Sequence, residues 1–126
     1  MWFLDQLEPE NPAYHLYLPL RLHGALNKVA LQAALNDLVA RHETLRTHFA
    51  GTSEDPVQVI ASSAELPLEH VDLPDCSDEE LTAALVERER RAFNLNAGPL
   101  IRASLFVHAE NQHTLLLVIH HIISDG

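Results

Sequence analysis

The sequence predicts a mixed α/β fold, a two-layer sandwich of sheet and helices, with residues 1–126 forming one small domain or part of a larger one. Three observations point to it. Leu16, Leu18, Leu20 and Leu22 alternate with the period of a half-buried strand. Two segments, 27–42 and 77–92, carry apolar residues at helical spacing behind N-cap residues. The C-terminal third holds two apolar runs, 100–108 and 113–120, separated by Ala109-Glu110-Asn111-Gln112 in the manner of a hairpin. This alternation of strands and helices fits a sandwich better than a parallel doubly wound sheet.

The elements follow in order. Met1-Trp2-Phe3-Leu4 is apolar with no polar lead-in, so the chain is expected to begin inside an element. Leu7-Glu8-Pro9-Glu10-Asn11-Pro12 is a turn. The strand 15–22 contains Pro19, which lacks a backbone donor and so belongs at a sheet edge or a bulge. Asn27 is suited to cap a helix running to His42, with Leu31, Leu35 and Leu38 recurring on one side. Residues 45–49 and 56–60 are expected as two strands around the polar tip 51–55, with a further extended segment at 68–71. Ser77-Asp78-Glu79-Glu80 has the form of a capping box and predicts a helix from there to Ala92. Leu81, Ala84, Leu85 and Ala92 mark its inner side, and Glu87 to Arg91 are read as its solvated side. Asn94 to Pro99 then turn the chain into the final hairpin.

Composition excludes several functions. The 126 residues are 47% apolar, enough for a real core. Eight Lys and Arg against 18 Asp and Glu give a formal charge of −10, which disfavours a nucleic acid or an anionic membrane surface as partner. Cys76 is the single cysteine, so no internal disulfide forms, and a reducing, cytoplasmic setting is expected. No run approaches the roughly 20 apolar residues that span a bilayer, and no secretory signal pattern opens the chain.

The residues that carry chemistry cluster in two places. The chain closes on HHIISDG, His120 to Gly126, directly after Leu115-Leu116-Leu117-Val118-Ile119. Neighbouring strand residues point to opposite faces, so one imidazole is expected to be structural and the other to face a cavity. Adjacent strand histidines are also poor ligands for one tetrahedral ion, and no metal is expected. Histidine takes up a proton near neutral pH, and Asp125 either orients it or anchors the loop through an ion pair. The second cluster is RHETLRTHF, Arg41 to Phe49, which sets two arginines and two histidines into an otherwise acidic chain. Cations at a helix C-terminus are favourable in themselves. A buried Asp125 would nonetheless need such a partner. No G-x-S-x-G nucleophile signature and no Gly-rich phosphate loop is present.

Taken together, these motifs resemble the N-terminal part of a nonribosomal peptide synthetase condensation domain, over nearly the whole chain. HHIISDG resembles the family's HHxxxDG motif, and RHETLRTHF fits RHExLRTxF at every fixed position. Met1-Trp2-Phe3-Leu4 is similar to the tail of the first family motif. Phe93 to Ala103, FNLNAGPLIRA, is similar to the F-D-L-x-x-G-P-L-x-R connection, with Asn94 in place of the usual aspartate.

The resemblance implies a chloramphenicol-acetyltransferase-like fold of two halves, of which this chain is the N-terminal one. The active site would lie in a tunnel between them, where an acceptor amine attacks a donor thioester. Both substrates would hang from phosphopantetheine arms of donor and acceptor carrier domains, beside an adenylation domain of the same synthetase, with no cofactor bound directly. Carried over, His121 is the catalytic residue, as general base or as the group that positions the amine. Asp125 is the structural aspartate, with Arg41 and Arg46 both candidates for its ion pair, and His120 and Gly126 have supporting roles. The C-terminal half is absent, so the chain is expected to be inactive alone, with an apolar surface or unpaired edge at its last strand. The alternatives are another HxxxD acyltransferase or an epimerisation domain of the same fold, or a non-catalytic fragment or interaction module.

Overall fold

Strand alternation and two side-chain caps set the architecture. The computed structural model describes residues 14–52, 54–62 and 65–123. In chain order these form β1 (His15–His23), α1 (Lys28–Arg41), a 3-10 turn (Glu43–Arg46), β2 (Thr47–Gly51), β3 (Pro56–Ile60) and β4 (Leu68–Asp72). They continue as α2 (Asp78–Glu89), β5 (Ile101–Ala109), β6 (Gln112–His120) and a terminal 3-10 turn (His121–Ile123).

The main sheet has the order β1-β6-β5-β4, and β2 and β3 make a separate antiparallel hairpin. β1 and β5 flank β6 antiparallel, whereas β4 runs parallel to β5 and reaches it through α2. A parallel pair needs such a crossover, which explains why a helix stands between two neighbouring strands. β1 is an edge strand, and Pro19 lies within it, where a missing donor is tolerated.

Both caps form as expected. The Asn27 side chain accepts from the Ala30 N–H at 3.0 Å. Ser77 Oγ accepts from the Glu80 N–H at 3.1 Å while Glu80 Oε1 accepts from the Ser77 N–H at 3.3 Å, a complete capping box.

Alternation along β5 and β6 gives each sheet face its own core. Leu105, Ile101, Ala103 and Leu115 pack with Leu35 and Val39 of α1. On the other face Leu100, Phe106, Leu116 and Val118 pack with Leu81 of α2 and with Phe93, Leu95 and Ile123. Full burial of each such Leu or Phe contributes about 1.5–3 kcal/mol.

Three expectations change. Residues 45 and 46 belong to the 3-10 turn rather than to a strand. Arg46 explains it, donating from Nε to the Val39 carbonyl at 3.2 Å and from Nη1 to the Ala61 carbonyl at 2.6 Å. Thr47 Oγ1 donates to the Glu43 carbonyl at 2.8 Å and closes the same turn. α2 ends at Glu89 rather than Ala92, and Ala92 is exposed. Finally, the apolar exposure falls on β1 rather than on the last strand, because β6 is interior to the sheet. Leu16, Leu18 and Leu20 share one face of β1, and Leu18 is 51% exposed. The apolar start at residues 1–4 and the turn 7–12 lie outside the described residues, as do Asp125 and Gly126.

Among the described residues no helix is long and apolar enough to cross a membrane.

Candidate active site

The two histidines separate at the end of β6, by a mechanism that strand alternation supplies only in part. His120 is the last strand residue and His121 opens the 3-10 turn. His120 is fully buried, at 0% exposure, and its backbone N–H donates to the Leu100 carbonyl at 3.0 Å. Its Nδ1 accepts from the Ile122 N–H at 3.1 Å. An accepting Nδ1 carries no proton, so the ring is the neutral Nε2–H tautomer. Ile123 is buried in the core, and His121 and Ile122, between buried His120 and Ile123, are half-buried.

The His120 ring sits in an aromatic corner. Phe93 meets it edge-on at 6.0 Å between centroids, and His15 lies 5.7 Å away. His15 and Phe93 are themselves in T-shaped contact at 5.0 Å. His15 is 5% exposed, and its Nδ1–H donates to the Glu89 carbonyl at 2.7 Å, one of the orphan acceptors at the end of α2.

Arg102 takes up more of those acceptors. Its Nη1 donates to the Ala92 carbonyl at 3.0 Å, and its Nη2 to the carbonyls of Arg88 at 3.0 Å and Arg91 at 2.7 Å. Its guanidinium also stacks 3.9 Å from the centroid of Phe93. Burial, with repulsion from Arg91, pushes its pKa down to about 10, which leaves it cationic at neutral pH. The Arg91 and Ala92 carbonyls lie beyond the end of α2 at Glu89, and Arg102 gathers them together with that of Arg88.

The arginines of the first cluster part company. Arg41 is exposed, with 74% of its side chain in solvent, and pairs with Asp37 at 2.9 Å along α1. Arg46 is half-buried and held by two backbone carbonyls. Asn94, the departure in the connection motif, uses Oδ1 to accept from the Asn96 N–H at 3.0 Å, an Asx turn that an aspartate would make equally. Gly98 is at φ +55°, and a Cβ there would stand 3.1 Å from the Cβ of His48, so the connection passes close against β2. The Phe49 N–H donates to the Leu95 carbonyl at 2.7 Å, which joins the two motifs directly.

The charged run after Glu87 is not wholly solvated. Arg88, with 17% of its side chain exposed, donates from Nε to Glu69 Oε1 at 2.8 Å and lies over the Phe106 ring. A recess of about 440 Å³ opens here, lined by Leu66, Glu69, Arg88, Phe93, Ile101 and Arg102 among others, and His121 does not line it. Among the described residues no set of three His, Cys, Asp or Glu side chains is placed to hold a metal ion.

A family model for the condensation domain matches residues 1–126. The chain belongs to the condensation-domain family. Chondramide synthase cmdD of Chondromyces crocatus is 42% identical over 130 residues, covering all of this chain and 3% of that protein. A dimodular nonribosomal peptide synthase of Bacillus subtilis (strain 168) is 40% identical over 127 residues, covering all of this chain and 5% of that protein. The chain thus spans a small fraction of the length of these curated relatives. Among solved structures, the starter condensation domain of rhizomide synthetase RzmA superposes with a TM-score of 0.85 at 27% identity, over 99% of this chain and 31% of that one. The X-domain from teicoplanin biosynthesis gives 0.83 at 38% identity, over 94% and 25%. The chain therefore has the chloramphenicol-acetyltransferase-like fold of that family, which as a family is acyltransferase-like. Such domains work beside carrier and adenylation domains in nonribosomal peptide synthetases.

Of the residues that the motifs single out, the structure joins His120 and His121 in one turn, leaves Arg41 in solvent and ties Arg46 to the backbone around it. Their relation to Asp125 lies outside the described residues. The motifs give no place to His15, which the sequence signals only as a polar residue heading an apolar strand, whereas Arg102 is the closing arginine of the F-D-L-x-x-G-P-L-x-R connection, for which the structure adds the contacts.

Proposed function

We propose that this chain supplies one wall of a peptide-forming active site, completed by the other half of a condensation domain. The amine of an aminoacyl acceptor attacks the thioester carbonyl of an aminoacyl or peptidyl donor, each held on the phosphopantetheine arm of a carrier domain. The C–N bond forms, the C–S bond breaks, the donor arm leaves as a thiolate, and the amine's proton passes through His121 to it. A free α-amine has a pKa near 8, so part of it is already neutral, and holding it in line is as useful as removing its proton.

The observation that supports this reading is the contrast between the two rings: His120 is fully buried with Nδ1 spent on the Ile122 N–H, while His121 is half-buried. For Asp125 we assign Arg46 rather than Arg41 as ion-pair partner, because Arg41 is exposed and already paired with Asp37 whereas Arg46 is half-buried. Gly126 completes the motif in a supporting role.

The test loads donor and acceptor carriers with different amino acids, adds the complete domain, and analyses the acceptor arm by mass spectrometry. A dipeptidyl thioester on the acceptor supports condensation. Inverted stereochemistry of one carrier-bound residue with no new bond would support an epimerisation domain instead. A second reading has one observation behind it: the X-domain from teicoplanin biosynthesis, 39% identical with a TM-score of 0.78 over 85% of this chain and 23% of that one, was solved in complex with OxyB. Neither product, together with stable binding of another enzyme, would favour such an interaction module.

A further inference from the structure

We propose that His15 is a positioning residue for His121, acting through the ring of His120. The inference rests on the reading of His121 as the functional histidine.

Three features of the structure support it. First, the register of the sheet sets His15 directly opposite His120 across the β1–β6 pair. Second, His15 is tethered at both ends: its Nδ1–H is spent on the Glu89 carbonyl at 2.7 Å, and its ring faces those of His120 and Phe93. Third, the Ile122 N–H meets His120 Nδ1 only while the imidazole plane is held at one angle, and this bond spans the residue between them, which is His121.

The physical chain is short. The torsion that turns an imidazole about its Cβ–Cγ bond has broad wells, so bonding alone does not fix the ring plane. Phe93, edge-on to the ring, and His15, tilted at 60° to it, do fix it, and His15 can serve as one of these walls because the end of α2 anchors it. If the His120 ring swings, Nδ1 leaves Ile122, the 3-10 turn loosens, and the His121 side chain loses its aim. Reactive geometry is needed to within about 0.5 Å, and a misplacement near 1 Å costs about a hundredfold in rate.

The test uses the complete domain with loaded carriers. His15→Leu is expected to lower the single-turnover rate about tenfold with the acceptor KM unchanged within about twofold, and to speed hydrogen exchange at the Ile122 amide by a similar factor. His15→Asn keeps a donor near the position of Nδ1 and is expected to recover part of both. His120→Asn, whose Oδ1 can accept from the Ile122 N–H, is expected to outperform His120→Leu. That pair carries the test where His15 variants fail to fold.

His15 variants that fold, show wild-type rate and wild-type exchange, and lose only melting temperature would overturn the proposal, as would equal activity of His120→Asn and His120→Leu. If His121→Ala proves fully active while Ile122 exchange still responds to His15, the reading of His121 fails and the brace stands. If His121→Ala is inactive and His15 variants are silent, only the brace fails.

Discussion

His113 stands on β6 with Nδ1 buried and without a hydrogen-bond partner among the described residues. Burial, then the charges of Lys28 and His108, lower its pKa from the ordinary 6.5. A histidine depressed in the folded state resists a proton that the unfolded chain accepts. Its contribution to stability is therefore whole above about 6.5 and is lost as pH falls through the lowered value. Glu69 adds a second step at lower pH. Burial raises its pKa, but hydrogen bonds from Arg88 and Ser104, with the arginine charges, outweigh this and hold it below the usual 4.5. Its contribution is present above 4.5 and disappears below. Melting temperature across a pH series is expected to fall in both windows, and His113→Leu is expected to shrink the first while leaving the second. A His113→Leu curve with an undiminished loss just below pH 6.5 would contradict this assignment. At this scale the different settings of His120 and His121 were legible, because two adjacent histidines after an apolar run cannot share one environment. The sequence hid His15, whose role depends on a partner 105 positions away that only the strand register reveals.

Elements were most legible where local chemistry decides them. Asn27 and Ser77 cap their helices, and period-2 alternation for β1 and two apolar runs about a polar tip for β5 and β6 give these strands within a residue of their observed ends. Departures arise where a distant side chain takes backbone acceptors. Arg46 holds the Val39 and Ala61 carbonyls and turns an expected strand start into a 3-10 turn, and Arg102 gathers carbonyls at and beyond the end of α2. Helix ends that rest on one guanidinium are specific to its forked shape. Arg102→Lys is expected to destabilise the fold by about 1.5–3 kcal/mol, the usual worth of hydrogen bonds to a charged group, since an ammonium cannot reach three carbonyls while stacking on Phe93. Chemical denaturation reads this directly. A midpoint equal to that of the unaltered protein would show that the carbonyls find other partners at no cost.

At the scale of the whole molecule, each face of one sheet is sealed by its own helix, except along β1, where Leu16, Leu18 and Leu20 remain exposed beside the half-buried Leu117 and Ile119 of β6. This open apolar side lies on the strand whose first residue faces His120, just before the terminal 3-10 turn. It fits a chain that matches condensation domains over its full length and covers about a quarter to a third of the solved ones. Motif order made the family legible, because four short motifs in sequence carry information that periodicity does not. The fate of Asp125 was not legible, since an ion pair depends on where two loops meet in space. The central claim is that His121, rather than His120, faces the reacting groups, and single-turnover peptide-bond formation in the complete domain tests it most directly. His121→Ala is expected to fold normally and to lower the rate by about 10²–10⁴-fold, the usual worth of a positioned acid–base group. An unchanged rate in His121→Ala would contradict the account.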